Sequence, residues 1–347
     1  MHYTYLSMRK RKGLFGGPAG SGESSLIRRI ADSTLPGMES RNLKLPLGIG
    51  DDAALFRPKP GFETILTCDW FLEGTHFLPA KHPPDSVGWK CLARAVSDVA
   101  AMGGVPRCFL LSLALPASRT GRWLDQFLRG IRRASRAFKC RLVGGDTTRR
   151  SDILVNVTVV GEVRSKHALL RSGARSGDLI YVSGRLGEAD YGLCRVRNHK
   201  GRLNPKAPEL RRHLYPEPRL ALGRWLAEKG LATAMMDLSD GLSTDLARLC
   251  GASGVGAQIK AWKIPTIQMV KHRPNENHDL LELALNGGDD YELLFTVPQR
   301  KARFVPATLQ KVPLTPIGTI TRDKHLLVIE KHGRELPLIP KGWDPFR

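Results

Sequence analysis

The sequence predicts two α/β domains of the α+β type, each built on a mixed sheet. Length is the first reason, since 347 residues exceed one small module and suit two domains of ordinary size. Composition is the second. With 41% hydrophobic, 25% charged and 7% aromatic residues, the chain can bury ample core without disulfides or structural metal. The third is the order of patterns: helical-period segments and short apolar runs alternate, too irregularly for a (β/α)8 barrel.

Residues 1–20 read as a loose basic extension, in which Arg9, Lys10, Arg11 and Lys12 precede Gly16, Gly17, Pro18 and Gly20. No apolar stretch follows the charges, as a secretory signal would require. Gly17 to Ser24 is spaced like a phosphate loop, but Glu23 stands where that loop needs lysine, and a carboxylate repels phosphate. Leu26 to Ile30 begins a short helix, and Ile65 to Cys68 is a strand ending at Asp69. Val87, Cys91, Ala95, Val99 and Met102 recur at helical spacing, so an amphipathic helix is expected there. Phe109 to Leu115 is a strand closed by Pro116. Trp123, Phe127, Ile131, Ala134 and Phe138 mark a further helix, with five arginines largely on its wet side. Strands are expected at Leu142–Val143 and Ile153–Val160.

Near Arg164 the pattern changes, dividing the chain into an N-terminal domain, 21–163, and a C-terminal domain, 164–347. The second block opens with a strand at Leu179–Val182 and a helix from Leu186 to Val196. A polar, proline-containing stretch follows from Asn198 to Pro218. Then come a helix around Leu220–Leu226, the apolar pair Met235–Met236, a helix from Ser243 to Cys250 and a strand from Tyr291 to Val297.

Charge is the unusual quantity: 54 Lys and Arg against 33 Asp and Glu give +21. Polyanionic partners must be considered, but the basic residues run along the whole chain without zinc-finger spacing or an aromatic RNA-binding motif. A solvated basic surface is expected, with no nucleic-acid partner. Six scattered cysteines without a CxxC pair read as reduced thiols, hence a cytoplasmic protein. No run of eighteen apolar residues exists, so no membrane span is expected.

The acids carry the chemistry. GIGDDAALF (48–56), TCDWFLEGTHF (67–77), SDVAAMGG (97–104), VGGDTTR (143–149), DLSDGLSTDL (237–246) and GGDDYELLFT (287–296) each set carboxylates beside glycine or hydroxyl residues. Glycine permits close approach of backbone and ligand, and the oxygen donors suit hard Mg²⁺ shared with phosphates. Asp98 borders the buried face of its helix, where a carboxylate needs a cation or hydrogen bonds.

The ordered series resembles the thiamine-monophosphate kinase family, of the superfamily of aminoimidazole ribonucleotide synthetase and selenophosphate synthetase. The resemblance runs from Gly22 to Trp343. It implies a fold in which the N-terminal domain pairs with its symmetry mate into a dimer barrel, making the protein a homodimer. The implied activity is ATP-dependent phosphorylation of thiamine monophosphate, assisted by several Mg²⁺ ions, with no residue acting as covalent nucleophile or general base. It implies metal ligands at Asp52, Thr67, Cys68, Asp69, Asp98, Asp146, Asp237 and Asp240, Cys68 through its backbone because thiolate is soft. Gly145, Asp146, Arg171 and Ser239 match ATP-contacting positions, and His76, Asp289 and Trp343 match substrate-contacting ones. The family commonly has Glu at Asp289 and His at Pro345. Two alternatives stay open: a sister ATP-using enzyme with another acceptor, and an inactive basic relative that binds nucleic acid.

Overall fold

The computed structural model describes residues 23–34, 49, 53–199, 204–267 and 279–346. The basic extension and Asp52 lie outside the described residues.

The first half forms a four-stranded sheet in the order β1-β4-β2-β3, from β1 (Phe62–Leu72), β2 (Val105–Leu115), β3 (Arg141–Arg149) and β4 (Leu154–Arg164). β4 is antiparallel to both neighbours and β2 runs parallel to β3, so the sheet is mixed. β4 is rich in β-branched valines and lies between two strands, which suits a central position. The helices α1 (Glu23–Thr34), α2 (Pro84–Ala101) and α3 (Arg122–Phe138) share one core with the sheet, built on Phe71, Phe77, Phe109 and Phe127. The period seen in the sequence is the reason: Trp123, Phe127, Ile131, Ala134 and Phe138 of α3 are all buried. On the other face of the sheet Leu66 is 71% exposed and Trp70 55%, with Leu110 beside them.

The second half builds a larger mixed sheet with the main order β12-β11-β7-β10-β5-β8-β6. Its strands are β5 (Leu179–Ser183), β6 (Ala234–Leu238), β7 (Gly256–Lys260), β8 (Glu292–Val297), β9 (Thr308–Leu309), β10 (Val312–Thr321), β11 (Leu326–Ile329) and β12 (Glu335–Pro337). Only β11 and β7 pair in parallel among these strands. The helices are α4 (Glu188–Asn198), α5 (Arg211–Leu214), α6 (Leu220–Lys229), α7 (Leu242–Ser253) and α8 (Leu280–Asn286). The polar stretch 198–218 thus contains a short helix, whose Leu214 and His213 are buried. Strands β7 and β9–β12, and helix α8, were not expected. Each is short or lacks a clear period, and the neighbouring strands decide its state.

The two halves meet where α2 lies against α6 and β6. A Cβ on Gly223 of α6 would come within 2.0 Å of the Ala100 carbonyl oxygen, so the helices touch backbone to backbone. All six cysteines are free. Among the described residues no helix is long and apolar enough to cross a membrane.

Candidate active site

One face of α2 presents Lys90, Arg94 and Asp98, four residues apart and therefore stacked a turn at a time. β1 runs beside this face, and its odd-numbered residues point towards it. Thr67 donates its hydroxyl to Asp98 at 2.5 Å, and Asp69 lies 3.8 Å from Arg94. The C-terminal domain closes the site from the other side. Asp237, at the end of β6, accepts the Ser97 hydroxyl at 2.6 Å. The following turn presents Ser239 and Asp240, and Asp240 pairs with Arg248. Asp289 precedes β8 and accepts Lys90 at 2.6 Å and the Tyr291 hydroxyl at 2.8 Å.

This turn is held against backbone preference. Asp289 and Tyr291 both have positive φ, 68° and 52°. Their N–H groups donate to the Ser239 and Leu238 carbonyls, which over-determines a conformation that costs free energy in a non-glycine residue. The Asp289 carboxylate is thereby tied to the Asp237–Asp240 segment.

Electrostatics divides the site into two ends. Burial raises the pKa of Asp69 to about 6, only partly offset by Arg94 and reinforced by Asp98 and Asp240. Burial raises Asp237 to about 8, with Asp98 adding to the shift, and burial also raises Asp98. These acids form an oxygen-lined group in which burial outweighs the nearby arginines. At the other end the balance reverses. Burial opposes ionisation of Asp289, but Lys90, Arg94 and His213 outweigh it and hold the carboxyl below the usual range. Burial lowers His76 to about 4, with Arg94 helping, so its ring is neutral. Its Nδ1 accepts the Leu72 N–H at 3.0 Å, which leaves the proton on Nε2, available to donate.

The donor set fits Mg²⁺. Thr67, Asp69, Asp98, Asp237 and Asp240 offer oxygen only, and Asp237, 3% exposed, has no cationic partner among the described residues. No three His, Cys, Asp or Glu side chains among the described residues converge tightly enough to hold a metal alone.

The remaining expected residues divide. Arg171 acts electrostatically on Asp98 and belongs to the acidic end. The Trp343 backbone N–H donates to the Asp240 carbonyl at 2.9 Å, which ties the residue, its indole half-exposed, to the Asp240 turn. The Cys68 side chain points to the opposite face of the sheet, where its sulfur meets Asn156, so only its backbone borders the site. Gly145 and Asp146 lie on the edge strand β3, three strands from β1, about 14 Å at ~4.8 Å per strand. Gly145 has φ 150°, and a Cβ there would meet the Leu111 carbonyl oxygen at 1.9 Å, so no other residue fits. Asp146 pairs with Ser112, Ser112 with Asn156 and Asn156 with Trp70, which puts it on the open face. Within one chain neither joins the cluster.

Lys90, Arg94, Ser97, His213 and Tyr291 were missed. For the first two the helical period carried a signal: the step of four that places Asp98 on the site also places them there.

The model of the AIR synthase related protein N-terminal domain matches residues 50–163, and that of the corresponding C-terminal domain matches 175–331. The thiamine-monophosphate kinase of Escherichia coli is 38% identical over 94% of this chain and 98% of its own. The crystal structure of the thiamine-monophosphate kinase from Stenotrophomonas maltophilia superposes with a TM-score of 0.74 at 36% identity, covering 88% of this chain and 95% of that one. The solved complex of AaThiL with AMPPCP and TMP has a TM-score of 0.74 at 34% identity, covering 94% of this chain and 97% of its own.

Proposed function

The chain belongs to the thiamine-monophosphate kinase family, and from that membership we infer that it transfers the γ-phosphoryl group of ATP to thiamine monophosphate, forming thiamine diphosphate. The observation that carries this is the meeting, across the domain boundary, of an oxygen-rich acidic end (Asp69, Asp98, Asp237, Asp240) with an end built on Asp289, Lys90 and His76.

The acceptor is a phosphate, mostly ionised near neutral pH because its second pKa is about 6, so no general base is required. The barrier lies in bringing two anions together. At ~4 Å, like charges repel by roughly 4 kcal/mol per unit pair at an effective dielectric near 20. Mg²⁺ ions, when bound, supply neutralisation, and Thr67, Asp69, Asp98, Asp237, Asp240, Arg171 and the backbone at Cys68 frame the end that would hold them and the ATP phosphates, with Asp52 as a further ligand. Ser239 would contact ATP. The α2 helix fixes Arg94 and Asp98 at constant spacing, so positioning comes from a rigid element. At the other end His76 Nε2, Asp289 and the Trp343 indole would contact thiamine, the indole by its π face.

Two copies would complete the site. The open face with Leu66, Trp70 and Leu110 offers a second chain an apolar surface, and Asp146 lies on that face at the far edge. Gly145 and Asp146 of one copy would then serve ATP in the site of the other. The division at residue 164 separates the dimerising half from the half that carries Asp237 to Trp343. Free thiols suit the cytoplasm.

A coupled ADP-release assay with thiamine monophosphate, thiamine and no acceptor in parallel tests the reading. ADP release that depends on thiamine monophosphate is expected. Equal release without acceptor would overturn it.

A further inference from the structure

Arg94 belongs to none of the aspartate motifs, yet it occupies the middle of the site. Its terminal nitrogens lie 3.8 Å from Asp69 and 3.7 Å from Asp289. These are ion-pair distances, too long for hydrogen bonds. Its Nε is buried without a hydrogen-bond partner among the described residues, and the Phe71 ring lies 5.7 Å from the guanidinium carbon. Only 19% of the side chain is exposed.

A buried donor left unpaired costs free energy, and native structures rarely tolerate one without a reason. Two carboxylates hold this guanidinium by charge, but among the described residues its planar fork has no hydrogen-bond acceptor. A fork of that geometry matches the oxygens of a phosphate, two at a time. Position decides which phosphate. Asp69 belongs to the acidic end and Asp289 to the end assigned to thiamine, so Arg94 stands at their junction. Resting on the reading of the site as a thiamine-monophosphate kinase, we propose that Arg94 binds the phosphate of the acceptor, thiamine monophosphate, and fixes it between the two ends. Lys90, one turn away, is 2% exposed and committed to Asp289, which leaves Arg94 as the α2 cation that can meet this group.

Calorimetric titration of the full chain, Arg94→Met and Arg94→Lys with thiamine monophosphate, thiamine and a non-hydrolysable ATP analogue tests the proposal. Arg94→Met should raise Kd for thiamine monophosphate at least tenfold, while Kd for thiamine and for the ATP analogue stay within about twofold. Arg94→Lys keeps the charge but loses the fork, and should weaken thiamine monophosphate binding alone by at least threefold. If Arg94→Met does not fold, the lysine variant decides by the same criterion. Unchanged affinity for thiamine monophosphate in the variants would overturn the proposal. So would equal losses for all three ligands, which would make Arg94 a brace for Asp289. An unsubstituted chain that binds the ATP analogue but not thiamine monophosphate would instead sink the kinase reading, and the proposal with it.

Discussion

Asp98 and Asp240 reach the site from different domains, and in the proposed reaction each would hold Mg²⁺ against the phosphates. Asp98→Asn or Asp240→Asn should lower turnover at least a hundredfold, roughly 2.7 kcal/mol, with the melting temperature held. Turnover near that of the unsubstituted chain at saturating Mg²⁺ in both variants would remove these residues from the metal-holding set. Trp343 is fixed by its backbone to Asp240 while its indole stays half-exposed, so the ring is free to stack on a ligand. Trp343→Ala should raise KM for thiamine monophosphate about tenfold, near 1.4 kcal/mol, with little change for ATP. Equal losses for both substrates and a lower melting temperature would mean that the ring only packs the tail.

At the scale of elements, the contact of α2 with α6 and α5 joins the domains. Gly223 allows α6 to approach the Ala100 carbonyl, and backbone cannot step aside as a side chain can. Gly223→Val should destabilise by about 1–3 kcal/mol, read as a lower denaturation midpoint. An unchanged midpoint would show that the helices have room to separate. Near the same contact His82 and His213 face each other at 2.9 Å between Nε2 atoms, beside Lys90. Burial, then Lys90, lowers His82 to about 4, and burial lowers His213 well below its usual value. A histidine whose folded pKa lies below its unfolded value of about 6.5 favours the folded state above pH 6.5. That contribution is lost as pH falls from 6.5 through 4. For His82 it is on the order of 3 kcal/mol. The melting temperature should fall through this window, and His82→Leu should flatten the fall. An identical slope in the variant would assign the acid sensitivity to the carboxylates.

For the whole molecule, one sheet face remains open, and large side chains at Leu66 and Trp70 are poorly placed against water. Sedimentation should find a dimer, and Leu66→Glu should shift it to monomer with activity lost, because Gly145 and Asp146 could no longer serve the other copy's site. A monomer that keeps full activity would refute the shared site.

Period and spacing by themselves determined α2, α3, β2 and β4, because amphipathic helices and valine-rich strands write their burial into local order. The aspartate segments, with glycine and hydroxyl neighbours, were likewise legible, and the resemblance they carry named Asp69, Asp98, Asp237, Asp240 and Asp289. Tertiary structure alone decided what surrounds them. Lys90 and Asp289 are 199 residues apart in the chain yet 2.6 Å apart in the fold, and no local pattern encodes such a pair. The alternation of β1 turned Cys68 away from Thr67 and Asp69. The strand order placed Asp146 at the far edge, because register and pairing are settled by neighbours distant in sequence. Strands β7 and β9–β12 were hidden for the same reason: their state depends on the sheet that receives them.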